Sequence, residues 1–118
     1  IAFNSLGQLR YLSAIQYVDG VVGNSSSGLL EAPSFKVGTI NIGDRQKGRI
    51  KASSIIDCLP TEDGIQEALG ELFSPEFNQS VKQTVSLFGE GGVAEKVVHI
   101  IESTKLDGVL KKIFYDDI

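Results

Sequence analysis

The segment Gly23-Asn24-Ser25-Ser26-Ser27-Gly28 holds the residue types whose spacing could do the most chemistry. Three adjacent serines supply hydroxyl donors between the apolar pair Val21-Val22 and an apolar stretch from Leu29. If the first is a strand and the second a helix, the N–H groups of the helix N-terminus point outward there and favour an anion. Gly28 would let a ligand approach the backbone. A diphosphate suits that set of donors. An ordinary reading is equally open, a serine-rich helix cap followed by a turn.

Glu31 falls one turn further on, too near an anion to bind it. A carboxylate there is better used to accept hydrogen bonds from ribose hydroxyls, as acidic residues do in dinucleotide sites. It could equally be a first-turn glutamate suited to the helix dipole. Arg45, Lys47, Arg49 and Lys51 cluster in a basic loop at 43–52. Their charge could complement a diphosphate, or simply belong to a solvated surface. Asp44 is a local carboxylate beside Arg45, and a turn residue is its simpler reading.

Other reactive side chains are few. Cys58 lies in an apolar stretch with no basic neighbour to lower its pKa, which reads as a structural thiol. His99 falls opposite Val93, Val97, Ile100 and Ile101 on a helical wheel, which reads as a solvated histidine. One histidine and one cysteine, far apart, are too few for a zinc site. No metal and no cofactor is therefore expected. The glycine-rich loop at 89–92 could offer anion donors, but a plain helix connection is simpler.

These groups need elements to place them. Leu6, Leu9, Leu12 and Ile15 recur at helical spacing and predict a helix over 6–17. Val21-Val22 predicts a short strand, and 29–35 a short helix limited by Pro33. Residues 37–42 and 54–58 read as strands. Thr61 is a candidate N-cap, with Glu62 and Asp63 suiting the first turn of a helix that buries Ile65, Ala68, Leu69, Leu72 and Phe73. Ser74-Pro75 predicts the next helix start, with Phe77, Val81, Val85 and Phe88 on its apolar face. Val93, Val97, Ile100 and Ile101 give a further helical stripe, and 106–114 a last short helix. Short buried strands between helices imply a parallel sheet with α/β crossovers. Both candidate loops would then leave the same end of neighbouring strands, where open α/β sheets bind ligands.

Composition sets the bounds. The 118 residues are 42% hydrophobic and 22% charged, which suits one small domain or part of a larger one. A net charge of −4 argues against a general nucleic-acid binder. No apolar run approaches the ~20 residues of a membrane span. A single cysteine forms no internal disulfide, so a reducing, cytoplasmic setting is expected. Only about three strands are visible, fewer than a doubly wound domain needs, and the chain does not start with Met. A fragment with strands missing upstream is the expectation. An uncovered sheet edge there would favour self-association, so a homo-oligomer is among the expectations.

The run GNSSSGLLEAPSFKVGTINIGDRQKGR over residues 23–49 closely resembles the hydrolysing UDP-N-acetylglucosamine 2-epimerases of sialic-acid and related nonulosonic-acid biosynthesis. The preceding LRYLSAIQYVDGVV and the later GEGGVAEKVVHII look like the same family, so the resemblance runs from residue 3 to about 102. It implies an α/β fold: a Rossmann-like parallel sheet with flanking helices, in the C-terminal half of a two-domain glycosyltransferase-B-like enzyme. Residues 1–104 would be part of the UDP-binding domain and 105–118 a helical tail. The implied reaction converts UDP-N-acetylglucosamine, or a related UDP-sugar, to N-acetylmannosamine and UDP. Anti elimination of UDP would give a 2-acetamidoglucal, to which water adds with inversion at C2.

Carried over by motif, Ser25, Ser26, Ser27 and Gly28 would take the diphosphate and Glu31 the ribose. Arg45 and Arg49 would line the phosphate side. The acid/base residues would come from a missing N-terminal domain, leaving this chain inactive alone. Two other readings stay open. One is a non-hydrolysing epimerase or glycosyltransferase of the same plan; the other is a non-catalytic module that senses a nucleotide sugar.

Overall fold

The computed structural model describes residues 1–89 and 91–107. Three short strands, β1 (Val21–Gly23), β2 (Thr39–Ile42) and β3 (Ile55–Cys58), form a parallel sheet in the order β1-β2-β3. Val22 pairs with Ile40, and Ile40 with Ile56. All three strands therefore end on the same side, and the loops that follow β1 and β2 are neighbours.

Alternation along β2 gives the sheet two different faces. Ile40 points to α3 (Glu62–Leu72) and packs with Ile56, Ala68 and Leu72 in the core, with Ile42, Cys58 and Phe77 alongside. Thr39 points the other way, to α2 (Ser27–Leu30). Fully burying Ile40 or Leu72 stabilises the fold by about 1.5–3 kcal/mol each. The approach of α3 is close: a side chain on Gly38 or Gly20 would put its Cβ 2.6 or 2.7 Å from a Leu72 methyl.

Local chemistry sets the helix ends. The Thr61 hydroxyl accepts from Gly64 N–H, with Glu62 and Asp63 in the first turn of α3. The Ser74 hydroxyl accepts from Phe77 N–H, and Pro75 opens α4 (Pro75–Lys82). Gly92 starts α5 (Val93–Ser103) at φ 71°, a left-handed conformation that glycine adopts freely.

Several elements differ from the sequence expectation. The first helix, α1 (Gly7–Ile15), buries Ile15 and half-buries Tyr11 and Leu12, but leaves Leu9 81% exposed. The helix expected over 29–35 breaks at Glu31 into α2 and a 3-10 turn (Ala32–Phe35), because Pro33 donates no N–H. Of the five apolar residues expected to be buried by this helix, Leu69 and the C-cap Phe73 are exposed, since a sheet with four-residue strands covers only a narrow helix stripe. α4 ends before Val85 and Phe88. There Thr84 is buried and its hydroxyl pairs with Ser53 at 2.9 Å, drawing the chain toward the loop before β3.

The apolar stripe of α5 forms as expected but is solvent-exposed, with none of the helix's residues buried. The helical tail expected over 105–118 falls almost wholly outside the described residues. Among the described residues, no helix is long and apolar enough to cross a membrane.

Candidate nucleotide site at the strand ends

The serine loop follows β1 and turns directly into α2. Gly28 N–H donates to the Ser25 carbonyl at 3.3 Å, and Leu29 and Leu30 N–H donate to the Ser26 carbonyl. α2 is a single turn of four residues, so the macrodipole is much smaller than the sequence pattern suggests. The donors that remain are local ones, the hydroxyls and backbone of Ser25, Ser26 and Ser27.

Those hydroxyls are ordered by contacts. Ser27 Oγ lies 3.2 Å from Ser25 Oγ and 2.6 Å from Tyr11 Oη. Ser27 N–H also reaches Ser25 Oγ at 3.4 Å. Gly28 is buried, and the side that lacks a Cβ faces β2. An added Cβ would stand 2.6 Å from the Thr39 methyl, and the Thr39 hydroxyl donates to the Gly28 carbonyl at 3.1 Å. The missing side chain thus serves the packing of α2 on β2, a different reason from the ligand approach expected of it.

Glu31 stands at the joint between α2 and the 3-10 turn, half-buried. It lines a recess with Ser5, Leu6, Gly7, Gln8 and Tyr11. Tyr11 therefore joins the Glu31 recess to the serine loop, since it borders the first and its hydroxyl touches the second.

The basic loop after β2 is not one cationic surface. Arg45 Nη1 reaches Asn24 Oδ1 at 3.4 Å, so this side chain meets the serine loop. Gln46 Nε2 donates to the Asn24 carbonyl at 2.8 Å. Arg49 lies elsewhere, in a recess with Leu29, Leu30, Ile50 and Phe88. Lys51 is paired with Asp57 at 2.6 Å, which offsets its charge.

The Lys51–Asp57 pair borders a cleft of about 570 Å³, with Gly43, Asp44, Lys47 and Cys58 in its wall. Partial burial pushes the Asp57 carboxyl up. Hydrogen bonds from Lys51 and Asn41, with the Lys51 charge, outweigh this and hold it below the usual carboxylate range. Burial, then the Asp57 charge, pushes the Cys58 thiol up, which suits an inert thiol. His99 is exposed. Among the described residues, no group of three or more His, Cys, Asp or Glu side chains is placed to hold a metal ion.

The structure thus brings Ser25, Ser27 and Arg45 into one hydrogen-bonded neighbourhood. It sets Glu31 beside that neighbourhood through Tyr11, and leaves Arg49 in a separate recess. Sequence reasoning missed Tyr11, Asn24 and Gln46 as site residues. A tyrosine one helical turn before Ile15 was the available signal for the first. Nothing in the sequence marked the reach of Gln46.

Residues 1–102 match the family model described as UDP-N-acetylglucosamine 2-epimerase. A Campylobacter jejuni protein named GDP/UDP-N,N'-diacetylbacillosamine 2-epimerase (hydrolyzing) is 38% identical over 97% of this chain and 29% of its own length. An Escherichia coli protein named polysialic acid biosynthesis protein P7 is 40% identical over 90% of this chain and 27% of its own. A Legionella pneumophila protein named UDP-N,N'-diacetylbacillosamine 2-epimerase (hydrolyzing) is 31% identical over 82% and 25%. The chain spans less than a third of the length of each of these relatives.

Proposed function

The chain belongs to the UDP-N-acetylglucosamine 2-epimerase family, and from that premise we propose that it forms the UDP-binding portion of a hydrolysing epimerase. In this reading the parallel sheet is part of the C-terminal Rossmann-like domain of a two-domain, glycosyltransferase-B-like enzyme. Residues 1–104 belong to that domain and 105–118 form its tail. The observation that carries the reading is the tie between the serine loop and the basic loop, both at the carboxyl ends of adjacent parallel strands.

At that junction the Ser25–Ser27 donors and Arg45 hold the diphosphate, and Glu31 accepts from the ribose hydroxyls. Arg49, which is exposed, adds its charge on the phosphate side. Gly28 acts through packing. UDP leaves as C1–O breaks and the C2 proton is removed; water then adds across the resulting double bond, giving free N-acetylmannosamine. Stabilising the departing diphosphate is the part of this reaction that these residues can perform. Removing the C2 proton falls to a companion N-terminal domain. No cofactor is needed in such a sequence.

Two of the relatives carry names that specify a hydrolysing reaction on a diacetylated sugar. This favours a second substrate reading, a UDP-linked 2,4-diacetamido sugar. The test is product analysis with the whole protein in deuterated water, offered each UDP-sugar in turn. Free sugar carrying deuterium at C2, with UDP in equal amount, is the expected result. An epimer still attached to UDP would identify a non-hydrolysing enzyme. UDP binding without turnover of any UDP-sugar would favour a sensing module.

A further inference from the structure

Asn24 accepts from two side chains of the opposite loop at once. The Arg45 contact is exposed and at the long end for a hydrogen bond, whereas the Gln46 bond is short and the residue is 2% exposed. Gln46 Oε1 is buried with no partner among the described residues. An orphaned amide oxygen is destabilising, a cost that a methionine of similar shape would avoid. Only the Nε2 bond offsets that cost among the described residues. What the amide adds over that methionine is one directional bond, to the carbonyl just before Ser25.

That carbonyl shares a planar trans peptide with the Ser25 N–H, so the two point in opposite directions. Pinning the oxygen toward Gln46 fixes the direction of the N–H. If the peptide were released and rotated, its oxygen would turn to where the N–H had pointed. A carbonyl oxygen there would repel an anion.

We propose that Gln46 is a positioning residue for the diphosphate, holding the Asn24–Ser25 peptide so that the Ser25 N–H faces the ligand. This deepens the reading of the serine loop given above and rests on it. Arg45 supports the same peptide from the side-chain end of Asn24, with less effect because its contact is exposed.

The test compares UDP with uridine, which lacks the phosphates, as ligands of the whole protein. In Gln46→Met the UDP dissociation constant should rise roughly tenfold, the scale of one hydrogen bond, while that for uridine stays unchanged. Equal losses for both ligands, or unchanged UDP affinity, would overturn the proposal. Should Gln46→Met fail to fold, Gln46→Asn keeps an amide but draws it back by one methylene, and the same selective loss is expected. A wild-type protein that binds no UDP would overturn the serine-loop reading itself. That result is distinct from a wild type and variant that bind UDP equally, which sinks only the role of Gln46.

Discussion

Tyr11 Oη and Ser27 Oγ lie 2.6 Å apart, so α1 and the serine loop are joined by a pair of hydroxyls. Each hydroxyl has one proton to give. Ser27 Oγ gives its proton to Ser25 Oγ at 3.2 Å, so Tyr11 is the donor of the pair. The chain Tyr11 to Ser27 to Ser25 therefore leaves the Ser25 hydroxyl proton available to a ligand.

Tyr11→Phe removes the first donor and keeps the ring. The loss should cost about 1 kcal/mol of stability in denaturant titration. Ser27 would then be free to rotate, and UDP affinity should fall a few-fold. An unchanged UDP affinity would show that the hydroxyl chain serves stability alone.

Gly28→Ala should destabilise the protein by about 1–3 kcal/mol, the usual penalty for overpacking, because the new Cβ would stand 2.6 Å from the Thr39 methyl. Thr39→Ser removes that methyl and keeps the hydroxyl that donates to Gly28. The double variant should therefore recover much of the loss. Additive single effects in a double-mutant cycle would rule out the direct clash.

The parallel sheet and the strand-end placement of both loops were legible from local pattern. The β-branched runs, the Ser-Pro and Thr-Glu-Asp starts and the glycine breaks all act within a few residues. What stayed hidden depends on distance in the chain. The Tyr11–Ser27 and Gln46–Asn24 contacts join residues well separated in sequence, and no spacing rule reports them. The basic loop misled because composition counts Lys51 as free charge, whereas the fold gives it to Asp57. Val85 and Phe88 kept helical spacing with Phe77 and Val81, but the tertiary pull on Thr84 ended α4 first.

Asp57 makes an acid-side prediction. Its folded pKa is depressed, so the Lys51 pair contributes stability that is fully present above the ordinary aspartate range. That contribution is lost as pH falls below that range through the folded value. Asp57→Asn should therefore be less stable than wild type at about pH 7, with the gap closing toward about pH 3. The effect should be small, because Asp57 is 52% exposed and solvent screens the pair. A gap that widens in acid would contradict the assignment.

Glu31 gives the counterpart of the Gln46 experiment, because it lies on the other side of Tyr11 from the serine hydroxyls. It borders the recess with Ser5–Gln8 and Tyr11, and under the proposed function its carboxylate takes the ribose, with the base against residues 5–8. Glu31→Gln keeps the size and one acceptor but removes the charge. UDP binding should weaken by about 1–3 kcal/mol, the scale of a hydrogen bond to a charged group. Uridine should weaken by the same factor, since both ligands carry the ribose, and pyrophosphate should bind as before. Gln46→Met should instead spare uridine and weaken UDP. Opposite selectivity in the two variants would divide the site into a sugar half and a phosphate half along Tyr11. A Glu31→Gln enzyme that binds UDP and uridine normally yet makes no product would instead put the carboxylate in the chemistry, because a group that only holds the ribose must show its loss in binding.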